Sequence, residues 1–172
     1  MIKAIQSVLN RVLIDHPPKD LLCIGQGISD AIKEYSTQHP QCEILQIDIE
    51  TLDISKLMDL LESQKVFDFA IVANSIEHID KTSADHLMAR LRDIQTKKLL
   101  VVVPIGKQWK GHASYWEETD LLALGFILIA SITVHDKPVH VYAFDIATYK
   151  TTPDWLNNKY WANPDLWDKY WW

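Results

Sequence analysis

The stretch Leu21-Leu22-Cys23-Ile24-Gly25-Gln26-Gly27 leads from an apolar run into two closely spaced glycines. The run predicts a buried strand, and the glycines predict a tight turn, because glycine adopts backbone angles that side chains forbid. A helix is predicted over Ser29–Gln38 and a second strand over Glu43–Ile47, with Asp48 directly after it. A carboxylate at the tip of the neighbouring strand can accept both hydroxyls of a ribose. The stretch therefore predicts a strand-helix-strand unit with a nucleoside site.

The residues of the glycine turn argue against two other nucleotide-binding motifs. A dinucleotide-binding turn would carry glycine at position 30, where this chain has Asp30, a carboxylate that would repel a pyrophosphate. The sequence contains neither GxxxxGKS nor GxxxxGKT, which argues against a P-loop. Gly25 and Gly27 also fit a purely structural turn of the kind that any α/β unit needs.

Length and composition predict one soluble domain with a buried core. The chain has 172 residues, of which 48% are hydrophobic and 23% are charged. Its net charge of −6 argues against a large nucleic-acid footprint. The two cysteines, Cys23 and Cys42, indicate neither a disulfide framework nor a metal site, which favours a reducing cytoplasm. The amino-terminal residues predict an amphipathic helix, and no segment predicts a membrane span.

Apolar runs alternate with helical patterns along the chain, which is typical of a mostly parallel sheet covered on both faces. Each run is almost entirely apolar, as expected of a central strand. The predicted central strands are residues 21–24, 44–47, 67–73 and 99–103. Residues 126–134 and 139–146 flank His135-Asp136-Lys137-Pro138 and predict an antiparallel hairpin.

Helices are predicted between these strands from capping residues and apolar spacing. Asp53 is predicted to cap a helix over residues 54–61. Ser83 is predicted to cap a longer helix that continues through Ile94, with Ile94 facing the core. A further short helix is predicted to end at Gly125.

The chain resembles the class I S-adenosylmethionine-dependent methyltransferases over about residues 21–146. Besides the glycine turn and Asp48, the resemblance depends on two motifs, Phe67-Asp68-Phe69-Ala70-Ile71-Val72 leading into Asn74-Ser75-Ile76-Glu77-His78-Ile79, and Tyr115-Trp116-Glu117-Glu118 leading to Gly125-Phe126. The chain also resembles a small, divergent bacterial family related to these enzymes. The resemblance implies an α/β, Rossmann-like methyltransferase sheet, mostly parallel with an antiparallel C-terminal hairpin and helices on both faces.

The chain departs from the methyltransferase pattern in ways that affect the site. Cys23 stands two residues before the first glycine, where the family usually carries an acid, and Ser29 replaces the usual third glycine. Only residues 53–66 precede the Phe67 strand, too few for a helix, a strand and a second helix, so we predict a sheet reduced by one strand. Asp48 is then either the ribose acid or an acid that contacts adenine. We favour the ribose role, because the glycine turn sets that register more tightly.

The resemblance implies S-adenosylmethionine as the cofactor. Its predicted contacts come from the glycine turn, the start of the first crossover helix, the tip of the second strand and the loop after the Phe67 strand. They are Gly25, Gln26, Gly27, Asp30, Asp48, Ile49 and Asn74.

Methyl transfer needs few catalytic side chains, because the cofactor already carries the activated leaving group. The candidates are Glu77 and His78 after the Phe67 strand, and His112 and Tyr115 after the next strand. We predict His78 as the general base, with Glu77 or Asp80 as the group that orients it. Tyr115 and Trp116 are predicted to line an acceptor pocket. The alternative is that Glu77 and His78 only cap the following loop or helix, and that Tyr115 and Trp116 anchor the core. His112 lies in a polar loop that is either a lid or an ordinary surface segment.

Residues 151–172 form a Trp-rich segment, and we predict two short helices there that pack on the methyltransferase-like domain of residues 1–150. Each buried Trp removes about 200 Å² from water, so the segment must be covered. A homodimer or a protein partner is the alternative, whereas the lack of lysine and arginine clusters argues against a membrane. The tryptophans are Trp155, Trp161, Trp167, Trp171 and Trp172.

Two functions from different classes fit the sequence. The first is a small S-adenosylmethionine-binding methyltransferase that acts on an unknown acceptor, as the glycine turn and Asp48 suggest. The second is a catalytically inactive methyltransferase-fold protein used for ligand or protein binding, as Cys23 and the missing strand suggest. We favour the first.

Overall fold

The computed structural model describes residues 3–26, 29–48 and 53–149, together with Asn163, Leu166 and Lys169. Side chains are described for these residues except Lys3, Ala4 and Ser29. The predicted packing of the Trp-rich segment therefore lies outside the described residues.

Within the described residues, six strands form one sheet in the order β2-β1-β3-β4-β6-β5. β1, β2, β3 and β4 pair in parallel, whereas β6 pairs antiparallel with both β4 and β5. This arrangement confirms the predicted sheet with its C-terminal hairpin. The strands are β1 (Asp20–Ile24), β2 (Glu43–Ile47), β3 (Phe67–Ala73), β4 (Thr96–Pro104), β5 (Ile127–Val134) and β6 (Lys137–Asp145).

The helices lie between the strands, as the alternation of patterns predicts. In the part of the chain that is described, α3 is the only helix between β2 and β3, as expected for a sheet reduced by one strand. None of the described helices is long and apolar enough to cross a bilayer. The helices are α1 (Lys3–Asp15), α2 (Ser29–Gln38), α3 (Ile54–Glu62), α4 (Lys81–Arg90), α5 (Glu118–Ala123) and α6 (Ile146–Tyr149).

Two apolar clusters cover the two faces of the sheet. Successive side chains of a strand point to opposite faces, so β1 contributes to both clusters. Leu21 and Cys23 pack on the side of α1 and α2, whereas Leu22 and Ile24 pack on the side of α3 and α4. Both faces of the central strands are thereby closed to solvent, which leaves the strand ends as the place for a site.

β2 is an edge strand, and the prediction of a central strand at residues 44–47 was wrong. The strand order places β2 outside β1, with no further strand beyond it among the described residues. Its residues are accordingly exposed or half-buried except Ile47. An apolar run indicates a strand but not the position of that strand in the sheet. In a sheet with one strand fewer, this strand lies at the edge.

The cap of α4 differs from the predicted one. Asp80 precedes the helix, and its Oδ1 accepts a hydrogen bond from the Ser83 backbone N–H at 3.0 Å. Ser83 therefore lies in the first turn, and its prediction as the cap was wrong. Aspartate and serine both favour the N-cap position, and here Asp80, three residues before Ser83, occupies it. Asp53 does precede α3, although its side chain makes no capping hydrogen bond.

A single turn of π-helix, Leu91–Gln95, follows α4 and changes which side chain faces the core. A π turn contains more residues than an α-helical turn and so rotates the later side chains about the axis. Ile94, predicted to face inward, is 60% exposed, and Gln95 is 2% exposed in its place. The Gln95 side-chain amide donates to the carbonyl oxygens of Gln64 and Lys65 at 3.3 and 2.9 Å.

The β5–β6 hairpin closes more tightly than predicted. His135 and Asp136 both have left-handed backbone conformations, with φ of 48° and 61°, as in a two-residue hairpin turn. Lys137 and Pro138, which the sequence pattern assigned to the turn, are the first residues of β6. This shorter turn brings Lys137 next to the loop after β4.

Gln95→Ala is expected to lower the free energy of unfolding by about 1–2 kcal/mol, because it removes two hydrogen bonds made by a buried side chain. Ile94→Ala is the matched control at the neighbouring exposed position, with an expected change within about 0.5 kcal/mol. Urea unfolding followed by far-UV circular dichroism measures both. A larger loss for Ile94→Ala than for Gln95→Ala would contradict the π-turn register.

Candidate functional site

The carboxyl ends of β1, β3 and β4 meet at one edge of the sheet and surround a cavity. Its volume is about 360 Å³, which is within the range of small-molecule sites. The walls are mainly apolar, with a few polar groups at one side. The lining residues are Ile5, Gln26, Ala73, Asn74, Glu77, Val102, Pro104, Trp109, His112, Val134 and Val139.

Gly25 ends β1 and makes the predicted tight turn. Its N–H donates to the Ile47 carbonyl oxygen at 2.9 Å, and its φ is +103°. A Cβ at this position would lie 2.0 Å from the Ala73 carbonyl oxygen. Glycine is therefore required here both by the backbone angle and by the close approach of β3.

Gln26 connects the glycine turn to the tip of β2. Its side-chain amide donates to both carboxylate oxygens of Asp48, at 3.3 and 3.2 Å. Gln26 also lines the cavity. The structure therefore brings three predicted cofactor residues, Gly25, Gln26 and Asp48, to one place, and the amide–carboxylate contact is a link that sequence spacing did not reveal.

The other predicted cofactor residues have different positions. Asn74 is the first residue after β3, has a left-handed backbone with φ of 51°, and lines the cavity. Asp30 is exposed in the first turn of α2 and does not line the cavity. Gly27 and Ile49 lie outside the described residues.

Glu77 lies in a short 3₁₀ turn, Ile76–His78, and is one of the residues that line the cavity. The residue is only 2% exposed, and the Ser75 N–H donates to its Oε2 at 2.9 Å. Burial raises the pKa of this carboxyl, while hydrogen bonds and the neighbouring His78 oppose the shift. Glu77 therefore holds its own turn in place and also presents an acidic group to the cavity.

His78, the predicted general base, is exposed and does not line the cavity. Its Nε2 lies 3.2 Å from Oδ1 of Asn74 and donates to it in the tautomer that carries the proton there. Its ring meets the ring of His112 edge-on, with 5.5 Å between the ring centroids. His78 thus contacts two cavity residues without reaching the cavity.

The loop after β4, residues 105–117, is fastened to the 3₁₀ turn. The N–H groups of Ala113 and Ser114 donate to the Glu77 carbonyl oxygen at 2.9 and 3.2 Å. The Ser114 hydroxyl donates to the Ile76 carbonyl oxygen at 2.8 Å and accepts from the Trp116 indole at 3.2 Å. These bonds hold the loop at the mouth of the cavity.

His112 of this loop lines the cavity. The sequence indicates it as a candidate but predicts no catalytic role for it. It stacks on Trp109 with 5.7 Å between centroids and 7° between the ring planes, and Lys137 lies over the Trp109 ring at 5.0 Å. Burial lowers the pKa of His112, and the positive charges of His78 and Lys137 lower it further. The sequence feature that points to His112 is its position in the loop after the carboxyl end of β4.

Tyr115 and Trp116 are adjacent in the sequence but differ in burial. Trp116 is completely buried, as the core interpretation of this motif predicts. Tyr115 is 41% exposed and does not line the cavity, and its ring lies 6.5 Å from His112. Of the three predicted catalytic residues, Glu77 alone reaches the cavity. Among the described side chains, no group of three or more His, Cys, Asp or Glu is arranged to hold a metal ion.

Gly25→Ala is expected to lower the free energy of unfolding by at least about 3 kcal/mol, because it combines a left-handed alanine with a clash against the β3 backbone. Gly111→Ala is the control, since φ is +84° there and a Cβ would meet no atom within 4 Å. We expect about 1 kcal/mol for the control. Equal losses in urea unfolding would show that Gly25 is needed for its angle alone.

Glu77→Gln is expected to become more stable relative to the wild type as the pH rises. Because the pKa of Glu77 is raised in the folded state, the folded chain keeps this proton to a higher pH than the unfolded chain does. The corresponding stability is complete below the unfolded pKa of about 4.3 and is lost as the pH rises through the folded pKa. Glutamine does not titrate and keeps an acceptor for Ser75.

The measurement is urea unfolding from about pH 4 to pH 8, a range that brackets the expected titration. Glu34→Gln, at an exposed position of α2, controls for the loss of one negative charge. A stability difference between Glu77→Gln and the wild type that stays constant or falls with pH would contradict the burial effect.

The fold is similar to that of several solved methyltransferase structures. The methyltransferase domain of bacterial CtHen1-C has a TM-score of 0.55 and 14% identity, over 82% of this chain and 96% of that chain. An O-methyltransferase family protein from Burkholderia thailandensis has a TM-score of 0.56 and 8% identity, over 81% and 55%. Magnesium protoporphyrin IX methyltransferase (ChlM) from Synechocystis, with bound SAH, has 0.52 and 11%, over 82% and 81%.

These similarities confirm the methyltransferase-like fold. No curated protein sequence gives a significant match to this chain. A protein family described as a family of unknown function, DUF6231, matches residues 3–172. The chain belongs to the DUF6231 family, and its fold is that of the Rossmann-like methyltransferases.

Proposed function

We propose that this chain binds S-adenosylmethionine and transfers its methyl group to an acceptor held in the same cavity. The observation that carries the proposal is the location of the cavity at the carboxyl ends of β1, β3 and β4. In open α/β sheets, ligands bind outside these ends. The cavity extends from Gln26, which is hydrogen-bonded to Asp48, to Glu77 and His112.

The polar side chains of the site fit a nucleoside with a cationic substituent. Asp48 follows the strand next to β1, and its carboxylate is the proposed acceptor for the ribose hydroxyls. Gln26 holds that carboxylate beside the turn and itself lines the cavity. Glu77 adds an acidic group, which suits a cationic ligand and opposes a phosphate.

The protein's contribution to methyl transfer is to position the acceptor and to exclude water. When bound, the cofactor supplies a methyl group on an already activated leaving group. Val102, Pro104 and Val139 form apolar walls on the side of the cavity that lies away from the glycine turn. Such walls hold the reacting groups together and keep competing water out.

We assign the general base to His112 in preference to His78. Only His112 of the two lines the cavity, and its lowered pKa leaves its imidazole neutral, and so able to accept a proton, near neutral pH. His78 contacts the ring of His112 and the Asn74 side chain, which suits a positioning role. Tyr115 has no proposed part in the chemistry.

The second candidate function, a catalytically inactive domain that binds a ligand or a protein, is supported by Cys23. This residue is completely buried between strands and helices and presents no charge to the turn. A domain of this kind would keep the fold without catalysing methyl transfer. If it binds S-adenosylmethionine, it differs from a domain that has lost the cofactor site altogether.

Isothermal titration calorimetry with S-adenosylmethionine and S-adenosylhomocysteine tests the proposal. We expect roughly micromolar binding of S-adenosylmethionine, weakened about tenfold or more in Asp48→Ala, because a carboxylate that accepts two hydroxyls contributes at least about 1.4 kcal/mol. Asp59→Ala, at an exposed position of α3, is the charge-matched control and is expected to bind normally. The absence of heat for both ligands at millimolar protein and ligand would overturn the proposal in favour of a non-cofactor role.

A further inference from the structure

We propose that Glu77 is the counter-ion of the cofactor's sulfonium and thereby lets the site distinguish S-adenosylmethionine from its uncharged thioether product. This inference rests on the proposed function and adds to it a residue role and a basis for ligand discrimination. It starts from the unusual situation of a carboxylic acid that is almost completely buried and faces a cavity.

Glu77 is the only carboxylate among the described residues that line the cavity. Asp48 contacts the cavity residue Gln26 but does not itself line the cavity. β1 supplies the buried thiol of Cys23, whose pKa is raised by burial, so this thiol stays neutral. Among the described lining residues, Glu77 is therefore the one acidic partner for a cationic group of a ligand in this cavity.

Glu77 is connected to both parts of the proposed site. It follows Ala73 and Asn74, which line the cavity at the end of β3, and its carbonyl oxygen holds the loop that carries His112, the proposed base. A sulfonium carries the methyl group that the acceptor would receive, so it would lie close to the groups that serve the acceptor. A carboxylic acid that lines the same cavity is therefore a suitable counter-ion for it.

The energetics of burial give the discrimination its direction. A buried carboxylate is costly unless a positive group or hydrogen bonds compensate it. Without ligand, the Ser75 N–H donates to Glu77, and His78 is the neighbouring positive group on its own turn. His112 faces the cavity from the loop after β4, with its pKa lowered, and so adds little positive charge. A sulfonium supplies the missing charge, whereas a thioether does not.

Calorimetry on the wild type and Glu77→Gln tests this inference, with Glu34→Gln as the charge-matched surface control. Glutamine is nearly isosteric and keeps the acceptor for Ser75. We expect Glu77→Gln to weaken S-adenosylmethionine about tenfold or more and S-adenosylhomocysteine by less than about threefold, because only the former carries the sulfonium. Both ligands carry the ammonium group, so a parallel loss would assign Glu77 to that group and overturn the inference.

A second measurement does not depend on the variant. A cation next to Glu77 lowers its raised pKa, so binding of S-adenosylmethionine to the wild type should release a proton at pH values near that pKa. Titrations in buffers of different ionisation enthalpy, from about pH 5 to pH 8, detect this release. S-Adenosylhomocysteine should release less, and equal release for the two ligands would contradict the inference.

The outcomes separate the two proposals. If the wild type binds neither ligand, the proposed function fails. If the wild type binds both and Glu77→Gln leaves their affinity ratio unchanged, the proposed function stands and the role of Glu77 as sulfonium counter-ion is refuted.

Discussion

The close approach of three strand ends around Gly25 is the constraint on which the rest of the site depends. The N–H of this residue is bonded to the end of β2, and its Cα faces the Ala73 carbonyl at the end of β3 with no room for a side chain. The turn is therefore held by backbone on both sides. Gln26 follows directly, so the orientation of its side chain toward Asp48 and the cavity depends on that packing.

The elements that the sequence predicts well are those that depend on local patterns. Apolar runs that are covered on both faces, such as β3, are visible because almost every position must be apolar. The helix Ser29–Gln38 and the strand Glu43–Ile47 have their predicted bounds, since a glycine turn and a polar loop delimit them. The sheet reduced by one strand was also predictable, because chain length between motifs limits how many elements fit.

The features that sequence analysis missed depend on contacts between distant segments or on a local change of helical geometry. The edge position of β2 follows from the order of strands, which its own residues do not encode. Ile94 and Gln95 exchange roles because one π turn rotates the register. His112 reaches the cavity because Ala113 and Ser114 bond to the turn after β3, and loop paths of this kind leave no periodic signal.

The Glu77 carbonyl oxygen links the turn after β3 to the loop after β4. This single acceptor holds two successive amides of the loop after β4, while the same residue lines the cavity. A displacement of the Glu77 backbone would therefore also move the attachment point of the loop that carries His112. A substitution that rearranges the turn after β3 is thus expected to change the loop after β4 as well.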